Sequence, residues 1–335
     1  MKDTVTVSPK DAIDLIKIYT KQGRAVCLHG DPGIGKSDMV KQFADSIGYD
    51  LLDLRLITRD PVDLTGVPYV ETVGTEKRTA WAAPKLIPTE GKVVLFMDEL
   101  NRAPTMTQNA AMQAVYDRAI NEIKLSPDCI IIAACNRDGI GVNPVPDALM
   151  NRFCHIIVEP DIDDWSAWAM VNNIHPLVIA FLRWKPELLA AYDKKAKAFP
   201  TPRTWEFVSQ LMESMQKLTK SGRLVLISGV VGHGPSIEFI SFIETYEKLP
   251  SIDAILMNPE SAMVPTDNAQ LFAVSSALAF KATRDNFDRI MTYTERMERK
   301  EFQVMTVKYA AAKTPEVMNS QPFINWIAVN QNIMK

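Results

Sequence analysis

The chain has 335 residues, 47% hydrophobic and 23% charged, a composition that can bury a full core and a length that suggests two or three domains. A net charge of −3 and a pI of about 5.9 leave no global basic field to hold a phosphate backbone, which weighs against a nucleic-acid binder without excluding a local patch. No segment approaches the ~20 continuous apolar residues that span a bilayer, and Met1 to Thr4 open no secretory run, so a soluble cytoplasmic protein with no membrane contact is expected.

Ser8-Pro9, followed by Asp11, Ile13, Ile16 and Tyr19, reads as a capped amphipathic helix with Gly23 just past its end. The apolar run Ala25 to Leu28 then leads into Gly30-Asp31-Pro32-Gly33-Ile34-Gly35-Lys36-Ser37, which fits the phosphate-loop pattern G-x-x-x-x-G-K-[ST]. Glycines at both ends let the backbone bend round an anion, so that N–H groups of Asp31 to Ser37 and the next helix's N-terminus point at a phosphate. Lys36 is expected on the β/γ-phosphates of ATP and Ser37 on Mg²⁺. The helix should end near Gly48, and a short strand follows at Leu51 to Leu56. Tyr69 to Val73, a turn at Gly74-Thr75-Glu76-Lys77 and Arg78 to Trp81 predict a hairpin, with Trp81 either anchoring its base or touching a client.

Val93 to Met97 forms a buried strand that ends in Asp98-Glu99. Open α/β sheets place ligand chemistry at such a carboxyl edge. Asp98 is expected to hold Mg²⁺ through its water shell, and Glu99 to polarise the water that attacks the γ-phosphate; an ordinary acidic turn is the competing reading. Thr105 to Asp117 is a helix, and Arg118 to Leu125 a second hairpin turning at Asn121-Glu122. Cys129 to Cys135 is the most apolar strand, and its polar tip, Asn136, can orient the attacking water or simply form a turn. A helix-like Asp147 to Phe153 precedes the strand Cys154 to Val158, so five strands with intervening helices predict a doubly wound parallel α/β domain over residues 1–160.

After Pro160 the strand signal vanishes. Asp163 to Asn172, His175 to Lys185 and Thr204 to Lys217 are helix-like, and Pro200-Thr201-Pro202 presents Arg203 near a helix start, where a cation opposes the helix dipole and points to a ligand or acidic partner. Gly229, Gly232, His233, Gly234 and Pro235 interrupt the helices, which resume at Ile237. Residues 161–249 are expected to form a helical lid and 250–335 a helical extension. Cys27, Cys129, Cys135 and Cys154 lie in or beside central strands with no C-x-x-C pair, and read as free buried thiols. His29, His155, His175 and His233 share no metal-ligand spacing and receive no catalytic role.

These residues resemble the MoxR branch of the AAA+ ATPases, related to the dynein, midasin and McrB-like group. The resemblance spans residues 8–245 and is carried by the loop at 30–37, Asp63-Leu64-Thr65-Gly66, Asp98-Glu99-Leu100-Asn101-Arg102-Ala103, Asn136, Ala148 to Phe153 and Pro202-Arg203-Thr204-Trp205. It implies a P-loop NTPase core with a helical lid, assembled as a homo-oligomeric ring, usually a hexamer, with ATP between subunits. It also implies that Asn136 is the sensor-1 residue, that Arg152 reaches a neighbouring subunit's γ-phosphate, that Arg203 is sensor 2, and that Arg102 can act in trans. The two hairpins correspond to the helix-2 and pre-sensor-1 insertions. MoxR-like proteins are often paired with von Willebrand factor A domain proteins, which implies a chaperone-like role on a protein client. Two other readings stay open: a McrB-like nucleic-acid translocase, disfavoured by the acidic pI and sparse basic residues of the hairpins, and a nucleotide-gated scaffold, disfavoured because Asp98 and Glu99 are both present.

Overall fold

In the computed structural model, which describes residues 5–137 and 143–330, Ser8 caps the first helix, α1 (Pro9–Lys21), its Oγ accepting from the Asp11 N–H at 3.2 Å. Residues 1–4, read above for a leader, and residues 331–335 of the extension lie outside the described residues. The chain continues through β1 (Ala25–Gly30), α2 (Lys36–Ile47), β2 (Asp50–Arg55), α3 (Pro61–Thr65) and a hairpin of β3 (Val67–Val73) and β4 (Glu76–Ala82). Next come β5 (Val93–Asp98), α4 (Thr105–Asp117), the two-residue strands β6 (Ala119–Ile120) and β7 (Ile123–Lys124), β8 (Ile130–Asn136), α5 (Asp147–Met150) and β9 (Phe153–Ile157).

Five of these strands form one parallel sheet in the order β2-β5-β8-β1-β9. Its central strands lack alternation because both faces are covered: Val26, Leu28, Phe96 and Ile132 pack against Ile16, Val40 and Phe43 of α1 and α2, while Leu95, Met97, Ile131 and Ala133 pack with Ala111 and Ala114 of α4. Consecutive βα units of one hand carry the C-terminal ends of β1, β5 and β8 to the same edge. This is the P-loop NTPase arrangement expected from the sequence.

Local differences have local causes. The first hairpin turns on two residues, Gly74-Thr75, with Gly74 at φ +67°; Glu76 and Lys77, assigned to the turn from sequence, instead pair with Val73 and Thr72. Alternation on β4 turns Ala80 inward, 7% exposed, and leaves Trp81 half-buried beside it. The helix expected over Asp147 to Phe153 is one turn long because Phe153 already pairs with Ala25 at the start of β9.

The chain divides into two compact units, 1–159 and 160–335, the second entirely helical among its described residues. It contains α6 (Ile162–Val171), α7 (Pro176–Trp184), α8 (Pro202–Met215), α9 (Lys220–Val231), α10 (His233–Tyr246), α11 (Ile252–Met257), α12 (Asn268–Phe280), α13 (Phe287–Glu295), α14 (Lys300–Lys313) and α15 (Gln321–Val329). Only Gly232, at φ +87°, breaks the α9–α10 pair; Gly229 is helical, and His233-Gly234-Pro235 form the first turn of α10, where proline's missing N–H costs nothing. Phe181, Trp205, Phe239 and Phe242 form an aromatic cluster whose rings meet tilted or edge-to-face. Tyr246, Phe272 and Tyr309 border both this core and the one built by α11 to α15, and α12 packs on α7 and α14. Residues before and after 250 therefore share one folded unit. Among the described residues no helix is long and apolar enough to cross a membrane.

Candidate active site

The phosphate loop is built by two packing constraints. A Cβ at Gly30 would meet Ile34 Cδ1 at 2.2 Å and Val158 O at 3.0 Å, so only glycine admits the loop's own anchor, Ile34, whose side chain is 5% exposed in the core. Ile34 thus offers a ligand its backbone alone. Gly35 stands at φ +94° as the cap of α2, a conformation that leaves the first N–H groups of the helix pointing back over the loop.

Lys36 is 8% exposed and its Nζ donates to the carbonyls of Gly30 (2.8 Å) and Asp31 (3.1 Å) and to Asn136 Oδ1 (2.9 Å). A buried ammonium keeps its charge only when acceptors surround it, and these belong to the phosphate loop and the tip of β8. Ser37 Oγ donates to Asp98 Oδ2 at 3.1 Å, and the Glu99 N–H donates to Asp98 Oδ1 at 2.8 Å. Lys36, Ser37, Asp98, Glu99 and Asn136, scattered over a hundred residues of sequence, are therefore brought together: Lys36 bonds Asn136, Ser37 and Glu99 bond Asp98, and the two groups join at the Lys36–Ser37 peptide. Asp53 adds a carboxyl on β2, held above its ordinary value by burial and then by the charge of Asp98.

Glu99 lies at φ 56°, an uncommon conformation for a side-chain-bearing residue, and its Oε1 accepts from Arg102 Nη1 at 3.0 Å. Arg102, implied by resemblance as a group acting in trans, here pairs with the carboxylate of its own chain. Asn101 is a participant that sequence reasoning placed only within a motif. It is 7% exposed; its Nδ2 donates to Asn136 O (2.7 Å) and its Oδ1 accepts from Asn136 N–H (3.1 Å), which ties the end of β5 to the end of β8. A buried amide amid the acidic motif was the available signal, but its partner is 35 residues away.

Two further expected residues, Arg152 and Arg203, stand outside the hydrogen bonds just described. Arg152 is exposed in the first unit with its guanidinium 4.1 Å above the Tyr116 ring of α4. Arg203 is exposed at the second position of α8 in the other unit, behind a capping box in which Thr201 and Thr204 exchange hydrogen bonds.

Residues 25–155 match the model of the ATPase family associated with various cellular activities (AAA). The chain is 28% identical to Midasin of Giardia intestinalis over 227 residues, 63% of this chain and 5% of that protein. It is 32% identical to YeaC of Bacillus subtilis over 137 residues, 38% of this chain and 40% of that one, so it spans less than half the length of these relatives. Among solved structures it is similar to a RuvB mutant of Thermotoga maritima, with 16% identity, a TM-score of 0.41 and coverage of 80% of this chain and 81% of that one.

Proposed function

We propose that the chain, whose residues 25–155 match the AAA ATPase family model, is a MoxR-type motor, assembled as a ring, that couples ATP hydrolysis to the remodelling of a protein client. The observation that carries the reading is the convergence of an acceptor-surrounded lysine, a hydroxyl–carboxylate pair and a second carboxylate at the C-terminal edge of the sheet. The Ser37 hydroxyl and the Asp98 carboxylate are hard-oxygen donors that suit Mg²⁺, which supplies charge neutralisation for the phosphates when bound.

In this reading the residues act in turn. Lys36 exchanges the carbonyls of Gly30 and Asp31 for phosphate oxygens, since a buried ammonium must trade acceptor for acceptor. Asn136, held by Asn101, orients the attacking water, and Glu99 takes its proton once its carboxylate is free of Arg102. Arg152 from a neighbouring subunit and Arg203 from the lid stabilise charge developing on the transferred phosphoryl group.

A specific observation favours a protein client over a nucleic acid. Of the four basic hairpin residues, Arg78 pairs with Glu76 at 2.8 Å and Arg118 donates to the carbonyls of Ser126, Pro127 and Cys129, so among the described residues two of the four cations are already engaged. The outward side chains of β3 include Val67, Tyr69, Val70 and Val73, an apolar set. The test is the ATPase of the wild type with duplex or single-stranded DNA and with a von Willebrand factor A domain protein, the DNA expected to leave the rate unchanged and the protein to raise it. Glu99→Gln should keep near-normal ATP affinity while turnover falls by about two decades or more, because the amide keeps the shape and cannot accept the proton; Lys36→Ala should lose binding. Stimulation by DNA with a steep salt dependence would replace the client reading by a translocase, and wild-type turnover in Glu99→Gln would remove Glu99 as the base.

A further inference from the structure

Directly behind the phosphate loop, on the sheet face that packs against α4, lies a cluster that the hydrolytic mechanism leaves unused. Cys27 Sγ donates to Cys135 Sγ across 3.5 Å, and a ring nitrogen of His29 lies within 4.8 Å of both sulfurs. The sheet register makes this grouping: His29 is the strand partner of Cys135, and Cys27 sits two residues earlier on the same face of β1. Cys27 and Cys135 are 0% and 2% exposed, and among the described residues this is the one group of three or more Cys, His, Asp or Glu whose ligating atoms come so close.

The second layer fixes the histidine for ligation. His155 Nε2 meets the Met150 carbonyl at 2.9 Å, and a carbonyl only accepts, so Nε2 carries the proton and His155 Nδ1 is an acceptor. His29 Nε2, 2.9 Å from that Nδ1, must then be the donor, which leaves the lone pair of His29 on Nδ1. A metal-ligating histidine has this arrangement, with its other ring N–H held by a partner that is itself anchored.

We propose that Cys27, Cys135 and His29 form a three-coordinate site for a soft closed-shell cation, Cu(I). Two thiolates and an imidazole select soft ions, and Zn²⁺ in closed sites takes four ligands, whereas no fourth Cys, His or carboxylate joins this group among the described residues. Binding releases the two thiol protons, and the resulting cluster of one cation and two thiolates carries a single negative charge beside the Lys36 ammonium. The ligands are also the residues immediately before the nucleotide machinery, His29 before Gly30 and Cys135 before Asn136, so occupancy braces the ends of β1 and β8.

The test uses the full chain, reduced and kept anaerobic, titrated with Cu(I) against a colorimetric Cu(I) chelator and, in parallel, with Zn²⁺ against a zinc chelator. One Cu(I) per chain is expected, with X-ray absorption at the copper edge showing two sulfurs and one nitrogen. Cys27→Ser and Cys135→Ser should each weaken the affinity at least a hundredfold, Cys129→Ser should leave it unchanged, and His155→Ala should weaken it by roughly 10–100-fold as a positioning residue. Failure of the wild type to compete for Cu(I), wild-type affinity in either serine variant, preferential retention of Zn²⁺, or a ligand shell other than two sulfurs and one nitrogen would each overturn the assignment. The absorption measurement on the wild type decides the question even if a serine variant does not fold.

Discussion

At the scale of single residues, the site depends on a side chain that touches no phosphate group in the proposed mechanism. Asn101 satisfies both the N–H and the carbonyl of Asn136, and thereby sets where the Asn136 amide stands against Lys36. Asn101→Ala would leave those two backbone groups without their partners at a part-buried strand end, where each loss costs about 1–3 kcal/mol. The expected outcome is a stability loss of roughly 2–4 kcal/mol in denaturant unfolding, together with a kcat that falls more than KM rises, because ATP still finds Lys36 while the water-orienting amide wanders. Unchanged kcat in a folded Asn101→Ala would show that Asn136 is positioned without it. Glu99 is read at this scale too: its positive φ and its Arg102 partner hold the carboxylate at the strand end, in a conformation a side chain accepts only where its surroundings impose it.

The element that projects furthest from the mechanism is the hairpin β3–β4. Its seven-residue strands pair in register from Val67–Ala82 to Val73–Glu76, and Ala80 alone among the residues of β4 is fully buried, so the rest of the ribbon is available to a partner. Gly66 closes its base, since a Cβ there would meet Ala82 O at 2.1 Å, and a side chain at that position would pry the ribbon off the domain. Replacing Val70 and Val73, 68% and 53% exposed, with serine should leave folding and basal ATPase intact, because exposed positions away from caps and cores change stability by less than ~0.5 kcal/mol. Stimulation by the client protein should fall severalfold. A doubly substituted hairpin that is still fully stimulated would eliminate this face as the working surface. The turn residues Gly74-Thr75 are a poorer target, since Gly74 supplies the φ +67° that keeps the register.

For the whole molecule, the prediction is that hydrolysis belongs to the assembly. Arg152 is exposed, and among the described residues its contact is the ring of Tyr116 rather than a carboxylate or the carbonyls of α5, so its charge is presented outward. An arginine supplied in trans can be worth ~10³ or more in rate. Lys36→Ala subunits keep Arg152 but cannot use ATP, and Arg152→Ala subunits bind ATP but lack the guanidinium, so co-assembly of two inactive variants should restore part of the activity. If mixed rings form and hydrolysis stays at the level of either variant alone, Arg152 acts within its own chain.

What the sequence determined by itself was everything local. The strand, loop and helix around Lys36, the buried strands ending in Asp98 and Asn136, and the helical character after Pro160 are each written in contiguous residues, because strand and helix periods, glycine positions and caps act over a few positions. Tertiary structure alone decided which strand ends meet. The order β2-β5-β8-β1-β9 puts Asn136 against Lys36, Asn101 against Asn136 and His29 against both Cys135 and His155, pairs separated by 35 to 126 residues that no local period reports. It also decided that Arg102 rests on Glu99, that Ala80 rather than Trp81 is buried, and that residues beyond 250 pack into the same unit as those before it. The physical reason is that hydrophobic burial fixes which faces are hidden, while sheet register and chain connectivity, set only when the whole domain closes, fix which neighbours share a hidden face.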